Sequence, residues 1–302
     1  MMRKNGFCKA WQKRFTVALV TPWCLVAVLS SCSDSAVVSV VSSVEDESVA
    51  SGPLSDSGAD TAVAEQPGAA ADLLVGFDTE LTAEEPAVLR IMAVGDSITH
   101  GVSGATSFRK PLLDLLQSSG CEFEMVGSMS KNLPDTGFES PHEGYSGHRT
   151  DAFLTGQQSS FGNNQGISES MLQFAPQLVL LKIGTNDVNQ NREVDSVIAN
   201  IDQIVALILD AEPKAQVLVA TLVPFFGSTD FDNPVNVALE RLSIALEAWF
   251  LQAANPSVYL IDIREGFTAD MLLPDLIHPN VSGDMLIASR FHQSIEENDL
   301  CQ

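Results

Sequence analysis

The sequence predicts an α/β fold, in which helices cover both faces of a parallel sheet. Five short apolar runs, several of them continuous rather than alternating, are typical of strands that are buried on both faces. Segments with apolar residues at helical spacing separate these runs. Because strands that alternate with helices form a parallel sheet with right-handed crossovers, the two observations predict one layered domain over residues 87–302.

Each predicted strand is bounded by polar residues, glycine or proline. The five runs are VLRIMAV at 88–94, FEMVGS at 123–128, QLVLLKIG at 177–184, QVLVATLV at 216–223 and VYLIDI at 258–263. The segment 129–166, which follows the second strand, is expected to be a long irregular loop. A loop of this length inside a compact domain is usually functional.

The predicted helices carry start and stop signals. They are PLLDLLQSSG at 111–120, EVDSVIANIDQIVALILDAEP at 193–213, NPVNVALERLSIALEAWFLQAA at 233–254 and VSGDMLIASRFHQSIEEN at 281–298. The first ends at Gly120, and the second has acidic residues in its first turn and Pro213 after its end.

Three polar segments follow strands and therefore meet at one edge of the predicted sheet. GDSITHG (95–101) ends the first strand, GTND (184–187) ends the third, and the loop 129–166 follows the second. Because ligands of open parallel sheets bind beyond the carboxyl ends of the strands, we expect a functional site at this edge.

Ser97, in the first of these segments, is a candidate nucleophile and requires a base. His278 lies in DLIHP, before the last helix, and the spacing Asp-x-x-His lets one turn bring the carboxylate of Asp275 to its Nδ1. Its Nε2 is then free to take the serine proton. The alternative is a helix cap with an incidental histidine.

The other four histidines are weaker candidates for the base. His100 is only three residues from Ser97, a spacing at which a well-aimed base is awkward. His292 lies in the last helix, where a surface or core position is expected. His142 and His148 belong to the loop after the second strand and are candidates for lining a subsite.

Four short blocks resemble, in order, those of the SGNH hydrolases, also called GDSL-type esterases. They are GDSIT with Ser97, EGYSGHRT with Gly147, GTNDV with Asn186 and DLIHP with His278. The resemblance implies a three-layer, flavodoxin-like, doubly wound sheet of five parallel strands and hydrolysis of acyl esters. It also implies that Ser97 is the nucleophile, that His278 is the base and then the acid, and that Asp275 orients the histidine.

The same resemblance implies an oxyanion hole built from the backbone N–H groups of Ser97 and Gly147 and the side-chain amide of Asn186. Thr185 and Asp187 are expected to brace the loop around Asn186. No cofactor is implied, and no cluster of residues with metal-ligand spacing indicates a metal site or a metal-dependent deacetylase.

The segments HEGYSGHRT, PQLVLLKIGTNDV and HPNVSG are similar to those of carbohydrate esterases that remove acetyl groups from xylan. Those enzymes often have Asp-Gly-x-His-Pro, whereas Leu276 stands in the glycine position here. The implied substrate is an O-acetylated polysaccharide. The alternatives are a lysophospholipase, thioesterase or aryl-esterase of the same superfamily, and a surface glycan-binding module without turnover.

The flavodoxin-like strand order 2-1-3-4-5 predicts a disulfide bond. Cys121 begins the second strand and Cys301 ends the last helix, so both lie at the amino edge of the sheet. The first and last helices share one face in this order. An oxidising compartment then allows a Cys121–Cys301 bridge, far from the candidate site.

The N-terminal segments predict export. Residues 1–31 have a basic start and an apolar run, as in a secretory signal peptide, and Leu29-Ser30-Ser31-Cys32 resembles the bacterial lipobox. The resemblance implies lipidation of Cys32 and a lipoprotein of the outer membrane or cell surface. Residues 32–86 are acidic, lack Lys and Arg and show no period, which predicts a disordered tether.

The charge of the chain limits its partners. The formal net charge is −23, which disfavours nucleic acid and anionic lipid headgroups. A neutral acylated carbohydrate is compatible with this charge, and we expect contact with a membrane through the lipid anchor only.

Overall fold

The computed structural model describes residues 88–102 and 106–301. The predicted signal peptide at 1–31, the predicted tether at 32–86 and the predicted lipid site Cys32 lie outside the described residues.

Strands and helices alternate along the described chain. The strands are β1 (Leu89–Gly95), β2 (Phe123–Met125), β3 (Met129–Lys131), β4 (Glu139–Gly144), β5 (Gln157–Ser159), β6 (Gly162–Asn164), β7 (Leu178–Lys182), β8 (Gln216–Ala220) and β9 (Val258–Ile261). The helices are α1 (Ser97–His100), α2 (Arg109–Ser118), α3 (Thr150–Thr155), α4 (Ile167–Phe174), α5 (Thr185–Asn189), α6 (Val194–Ala211), α7 (Pro234–Ala253) and α8 (Val281–Glu297), with a 3₁₀ helix at Ala269–Met271. Of the helices described, none combines the length and the apolar character that crossing a membrane requires.

The five predicted strands form one parallel sheet. Their order is β2-β1-β7-β8-β9, and every neighbouring pair among them is parallel. This is the predicted order 2-1-3-4-5, and the α/β fold class is confirmed. The continuous apolar runs predict these strands well because both faces of the sheet are buried.

The prediction for the segment 129–166 is wrong, because this segment contains strands and a helix instead of an irregular loop. β2 pairs with the first residues of β1, and β4 pairs in parallel with the last two, Val94 and Gly95. β3 then pairs antiparallel with β4, so the sheet has seven strands rather than five. β4 has the polar sequence ESPHEG, which does not predict a strand, and pairing with β1 stabilises it.

Two apolar cores lie on opposite faces of the sheet. Successive residues of β1 alternate between them: Ile91 packs in the core beneath α2 and α8, and Met92 packs in the core beneath α4, α6 and α7. This alternation follows from the period of two in a strand. The three-layer arrangement is therefore as predicted.

The predicted disulfide bond between Cys121 and Cys301 is present, with a Cα–Cα distance of 5.7 Å. Cys121 lies between α2 and β2, and Cys301 follows α8. The two helices pack against each other, with the rings of Phe108 and Phe291 stacked at 5.2 Å. The bond lies at the amino edge of the sheet and leaves the carboxyl edge open.

Candidate active site

Ser97 begins α1 directly after β1, at the carboxyl edge of the sheet. Asp96 caps this helix, because its side chain accepts a hydrogen bond from the backbone N–H of Ile98 at 3.0 Å. A capped first turn fixes the backbone that carries the Ser97 hydroxyl.

The Ser97 hydroxyl meets His278. Ser97 Oγ lies 2.9 Å from Nε2 of His278, and Nδ1 of the same ring lies 2.8 Å from Oδ2 of Asp275. Burial alone would raise the pKa of Asp275, but hydrogen bonds from the backbone and ring of His278 and from the Ile277 backbone lower it. The carboxylate is therefore charged at neutral pH, and it favours the tautomer with the proton on Nδ1.

The turn from Asp275 to His278 contains a strained residue. Leu276 has a φ of 57°, in the left-handed region that favours glycine. Its backbone N–H donates to the Leu273 carbonyl at 2.9 Å, and its carbonyl accepts from the Gly227 N–H at 2.8 Å. The position where similar carbohydrate esterases often have glycine thus has a backbone conformation that suits glycine.

Gly147 and Asn186 border the same cavity as Ser97. Gly147 has a φ of 78°, which a residue with a side chain rarely adopts. The amide nitrogen of Asn186 donates to the His148 carbonyl at 2.8 Å, which fixes the rotamer of Asn186 and ties it to the turn that carries Gly147. One amide hydrogen is used in this contact, and Asn186 has a second.

The residues that flank Asn186 hold its loop in place. Both carboxylate oxygens of Asp187 accept hydrogen bonds from Thr150, from its backbone N–H at 3.0 Å and its hydroxyl at 2.7 Å. Thr185 Oγ1 lies 2.7 Å from Nζ of Lys182, which is fully buried and also lies 3.1 Å from Asp96. Sequence reasoning missed Lys182, although a lysine inside the apolar run QLVLLKIG was the available signal.

His142 and His148 do not line this cavity, contrary to the prediction that they border a subsite. Both rings are almost completely buried, and the His148 ring packs against Tyr145 at 5.1 Å. His142 lies within β4, and its Nδ1 accepts a hydrogen bond from the backbone N–H of Gly144 at 2.9 Å. His292 lies on α8, near Ser119 and Glu296, away from the site.

A second serine–histidine pair lies close to the first. Nδ1 of His100 is 2.9 Å from the hydroxyl of Ser146, and Ser146 also borders the cavity. Burial and then the nearby charge of Arg109 lower the pKa of His100 to about 4. His100 is therefore neutral at physiological pH and is a weaker base than an ordinary histidine.

The cavity has a volume of about 390 Å³ and combines polar and apolar walls. The polar part consists of Ser97, Ser146, Gly147, Thr185, Asn186 and His278. The apolar part consists of Val102, Leu133, Phe161, Phe226 and Ile277. Ile277 lies within the block DLIHP, whereas the other four belong to no recognisable motif, and all five come from separate segments of the chain. Only the folded structure brings them together.

Within residues 88–102 and 106–301, no three or more His, Cys, Asp or Glu side chains are grouped so that they could hold a metal ion.

The model of the GDSL-like lipase/acylhydrolase family matches residues 93–286, which include all the segments that form the cavity. The chain belongs to this family. The matched segment 93–286, which we call the GDSL-like domain, is accordingly a carboxylic ester hydrolase domain.

Individual relatives of the GDSL-like domain are also esterases. A multidomain esterase of Ruminococcus flavefaciens is 26% identical in an alignment 222 residues long, and the match covers 69% of this chain and 28% of that protein. The chain therefore spans less than a third of the length of this relative.

Two solved structures share the fold over their whole length. A mutant acetyl esterase crystallised with an acetate ion is 27% identical, with a TM-score of 0.59, and the match covers 71% of this chain and 100% of that one. A family 3 carbohydrate esterase from Talaromyces cellulolyticus is 28% identical, with the same TM-score and the same coverage.

Proposed function

We propose that the GDSL-like domain is a serine esterase that removes small acyl groups, foremost acetyl, from O-acylated polysaccharides such as xylan. The observation that carries this proposal is the chain of contacts from Ser97 Oγ to His278 Nε2 at 2.9 Å and from His278 Nδ1 to Asp275 at 2.8 Å, open to a cavity. The acetyl esterase and the carbohydrate esterase among the similar structures support the substrate class.

The first half of the reaction forms an acyl-enzyme. Ser97 Oγ attacks the acyl carbon while Nε2 of His278 accepts its proton, and the carbonyl oxygen becomes an oxyanion. The backbone N–H groups of Ser97 and Gly147 and the side-chain amide of Asn186 donate to that oxygen. The charged carboxylate of Asp275 stabilises the imidazolium that forms. His278 then gives its proton to the departing sugar oxygen.

The second half returns the enzyme to its starting state. Water loses a proton to Nε2 of His278 and attacks the acyl carbon, and the Ser97–acyl bond breaks as Ser97 regains the proton. The carboxylic acid leaves, and Ser97 and His278 return to their starting protonation states. The rate depends on donors that are already oriented before the oxyanion forms, and the hydrogen bond from Asn186 to the His148 carbonyl supplies that orientation.

A longer acyl chain is the second candidate substrate. The five apolar residues that border the cavity favour it, because they would shield a chain from water as in a lysophospholipase or thioesterase. Measuring kcat/KM for a series of esters with acyl groups from acetate to decanoate decides between the short and the long acyl chain. We expect the highest kcat/KM for acetate, and a maximum at eight or more carbons would instead support the second candidate.

The decisive variant is Ser97→Ala. We expect it to lower kcat for p-nitrophenyl acetate and for acetylated xylan by about 10⁶-fold, because a triad that loses its nucleophile retains only binding and oxyanion stabilisation. Ser146→Ala is the matched control, since Ser146 has a hydroxyl in the same cavity and its own histidine neighbour.

The two variants separate the outcomes. Activity of Ser146→Ala within about tenfold of the parent, beside an inactive Ser97→Ala, supports the proposal. Equal losses in both variants, or an active Ser97→Ala, contradict the assigned nucleophile. A parent protein that binds acetylated xylan without hydrolysing any ester supports a non-catalytic glycan-binding module.

We also propose, from the N-terminal sequence alone, that the domain is exported and anchored to a membrane by a lipid on Cys32. An anchored esterase would act on polysaccharide outside the cytoplasm.

A further inference from the structure

An exposed phenyl ring stands at the mouth of the cavity. Phe161 joins β5 to β6 in a hairpin of otherwise polar residues, and 40% of its surface is exposed. It borders the cavity together with Ser97 and His278. An aromatic side chain that remains exposed beside a reactive hydroxyl is a candidate ligand contact.

The hairpin is fixed to the turn that carries Gly147. The backbone of Gly162 lies so close to the buried Tyr145 that a Cβ at this position would come within 3.0 Å of the tyrosine ring and 2.9 Å of the Met129 sulfur. The Tyr145 hydroxyl donates to Oε2 of Glu143 at 2.6 Å. Tyr145 precedes Gly147 by two residues, so the close approach of Gly162 to Tyr145 fixes the hairpin next to the turn of Gly147. Phe161 is the residue before Gly162 and is therefore held at a set position relative to the cavity.

The surroundings of the ring suit a sugar better than an acyl chain. Beside Phe161, the cavity is bordered by the polar side chains of Ser146, Thr185 and Asn186. Hydroxyl and amide groups offer both donors and acceptors, which sugar hydroxyl groups use and a hydrocarbon chain cannot. The negative face of a phenyl ring also attracts the polarised C–H groups on one face of a pyranose.

We propose that Phe161 is a stacking platform for a sugar ring of the acylated glycan, and that it sets the preference of the site for glycan esters over simple esters. This inference rests on the proposed esterase function and adds the residue that recognises the carbohydrate. Because the ring lies at the rim of the cavity, it contributes to substrate binding and takes no part in proton transfer.

The test compares two variants on two substrates. Phe161→Leu keeps an apolar side chain and removes the ring, whereas Phe161→Tyr keeps the ring. The substrates are an acetylated xylo-oligosaccharide and ethyl acetate, which contains no ring. For the oligosaccharide, we expect Phe161→Leu to raise KM by about tenfold and Phe161→Tyr to leave it within twofold, because stacking is lost only with the ring. For ethyl acetate, we expect Phe161→Leu to change KM much less than for the oligosaccharide, because no stacking contact with a sugar ring is lost.

Phe231→Leu is the matched control. Phe231 is 66% exposed and packs on Phe225 at 5.0 Å, and among the described residues it is outside the set that borders the cavity. The same chemical change there should leave KM for the oligosaccharide unchanged.

The outcomes also separate this inference from the proposed function. An unchanged KM for the oligosaccharide in Phe161→Leu overturns the platform while leaving the esterase intact. Equal losses on both substrates show damage to the cavity and overturn it as well. A parent protein that hydrolyses ethyl acetate and no acetylated glycan overturns the proposed substrate before any variant is made.

Discussion

Leu276 shapes the backbone between the two side chains of the proposed acid–base pair. Its left-handed φ of 57° lets the Asp275 carboxylate accept hydrogen bonds from the N–H groups of Ile277 and His278, both at 3.0 Å, while it meets the His278 ring. A residue with a Cβ pays about 1–2 kcal/mol for this conformation. The leucine side chain packs against the core that includes Ile98 and Phe267, which offsets part of that cost.

Substitutions at Leu276 test whether the turn or the side chain matters for activity. We expect Leu276→Gly to keep kcat within about threefold of the parent, because glycine adopts the left-handed conformation freely. Leu276→Val should lower kcat about a hundredfold, since a β-branched residue strongly resists this conformation and a small displacement of a catalytic group is costly. Steady-state kinetics with p-nitrophenyl acetate measures both, and equal activity of the two variants would contradict the role of the turn.

At the same scale, the sequence identifies the polar residues of the cavity better than the apolar ones. Ser97 and His278 belong to short blocks whose residue types and order are distinctive. Phe161 and Leu133 lie in a segment without such a pattern, and nothing local distinguishes them from other exposed apolar residues. Their position beside Ser97 depends on contacts between distant segments, which a sequence read locally does not contain.

Among the elements, β7 carries a buried ion pair. Nζ of Lys182 lies 3.1 Å from Oδ2 of Asp96, and both side chains are fully buried. Burial lowers the pKa of Lys182, and the neighbouring charge of Asp96 opposes that shift. Since Lys182 also bonds Thr185, it joins the turn of Ser97 to the turn of Asn186.

Removing one partner of this pair should be costly. We expect Lys182→Met to lower the free energy of unfolding by about 3–5 kcal/mol, because Asp96 is left as a buried charge without its counterion. Adding Asp96→Asn should recover part of the loss, since the amide oxygen still accepts the Ile98 N–H and caps α1. Urea unfolding of the single and double variants measures both effects.

Lys110→Met is the matched control for Lys182→Met. Lys110 pairs with Asp114 on the exposed side of α2, where an ion pair contributes about 1 kcal/mol or less. If Lys182→Met proves no more destabilising than Lys110→Met, the buried pair does not support the site.

Elements with an apolar pattern could be predicted, and elements without one could not. β7 and β8 are continuous apolar runs, and the sequence predicts them almost to their ends. β4 has the sequence ESPHEG and is a strand because its last residues pair with the end of β1. Pairing with a distant strand outweighs local composition, so such a strand is visible only in the fold.

At the scale of the whole molecule, the two edges of the sheet carry different features. The amino edge carries the Cys121–Cys301 bond, which joins the region after α2 to the end of α8. The carboxyl edge carries the turns that contain Ser97 and Asn186. Covalent closure at one edge therefore restrains the domain without occupying the edge where substrate is proposed to bind.

The proposed lipid on Cys32 would attach the domain to a membrane surface, and substitution of Cys32 tests this proposal. A hydrocarbon chain contributes about 0.8 kcal/mol per buried CH₂, and one chain alone binds a membrane only marginally, so stable attachment requires several chains on the cysteine. We expect the full-length protein, expressed in a bacterium fed a clickable fatty acid, to incorporate the label and to begin at Cys32 by mass spectrometry. Cys32→Ser should remove the label, whereas the matched control Cys24→Ser, within the predicted signal peptide, should retain it. A protein that is cleaved elsewhere, or that carries no label with Cys32 intact, would act as a free enzyme rather than at the surface of a membrane.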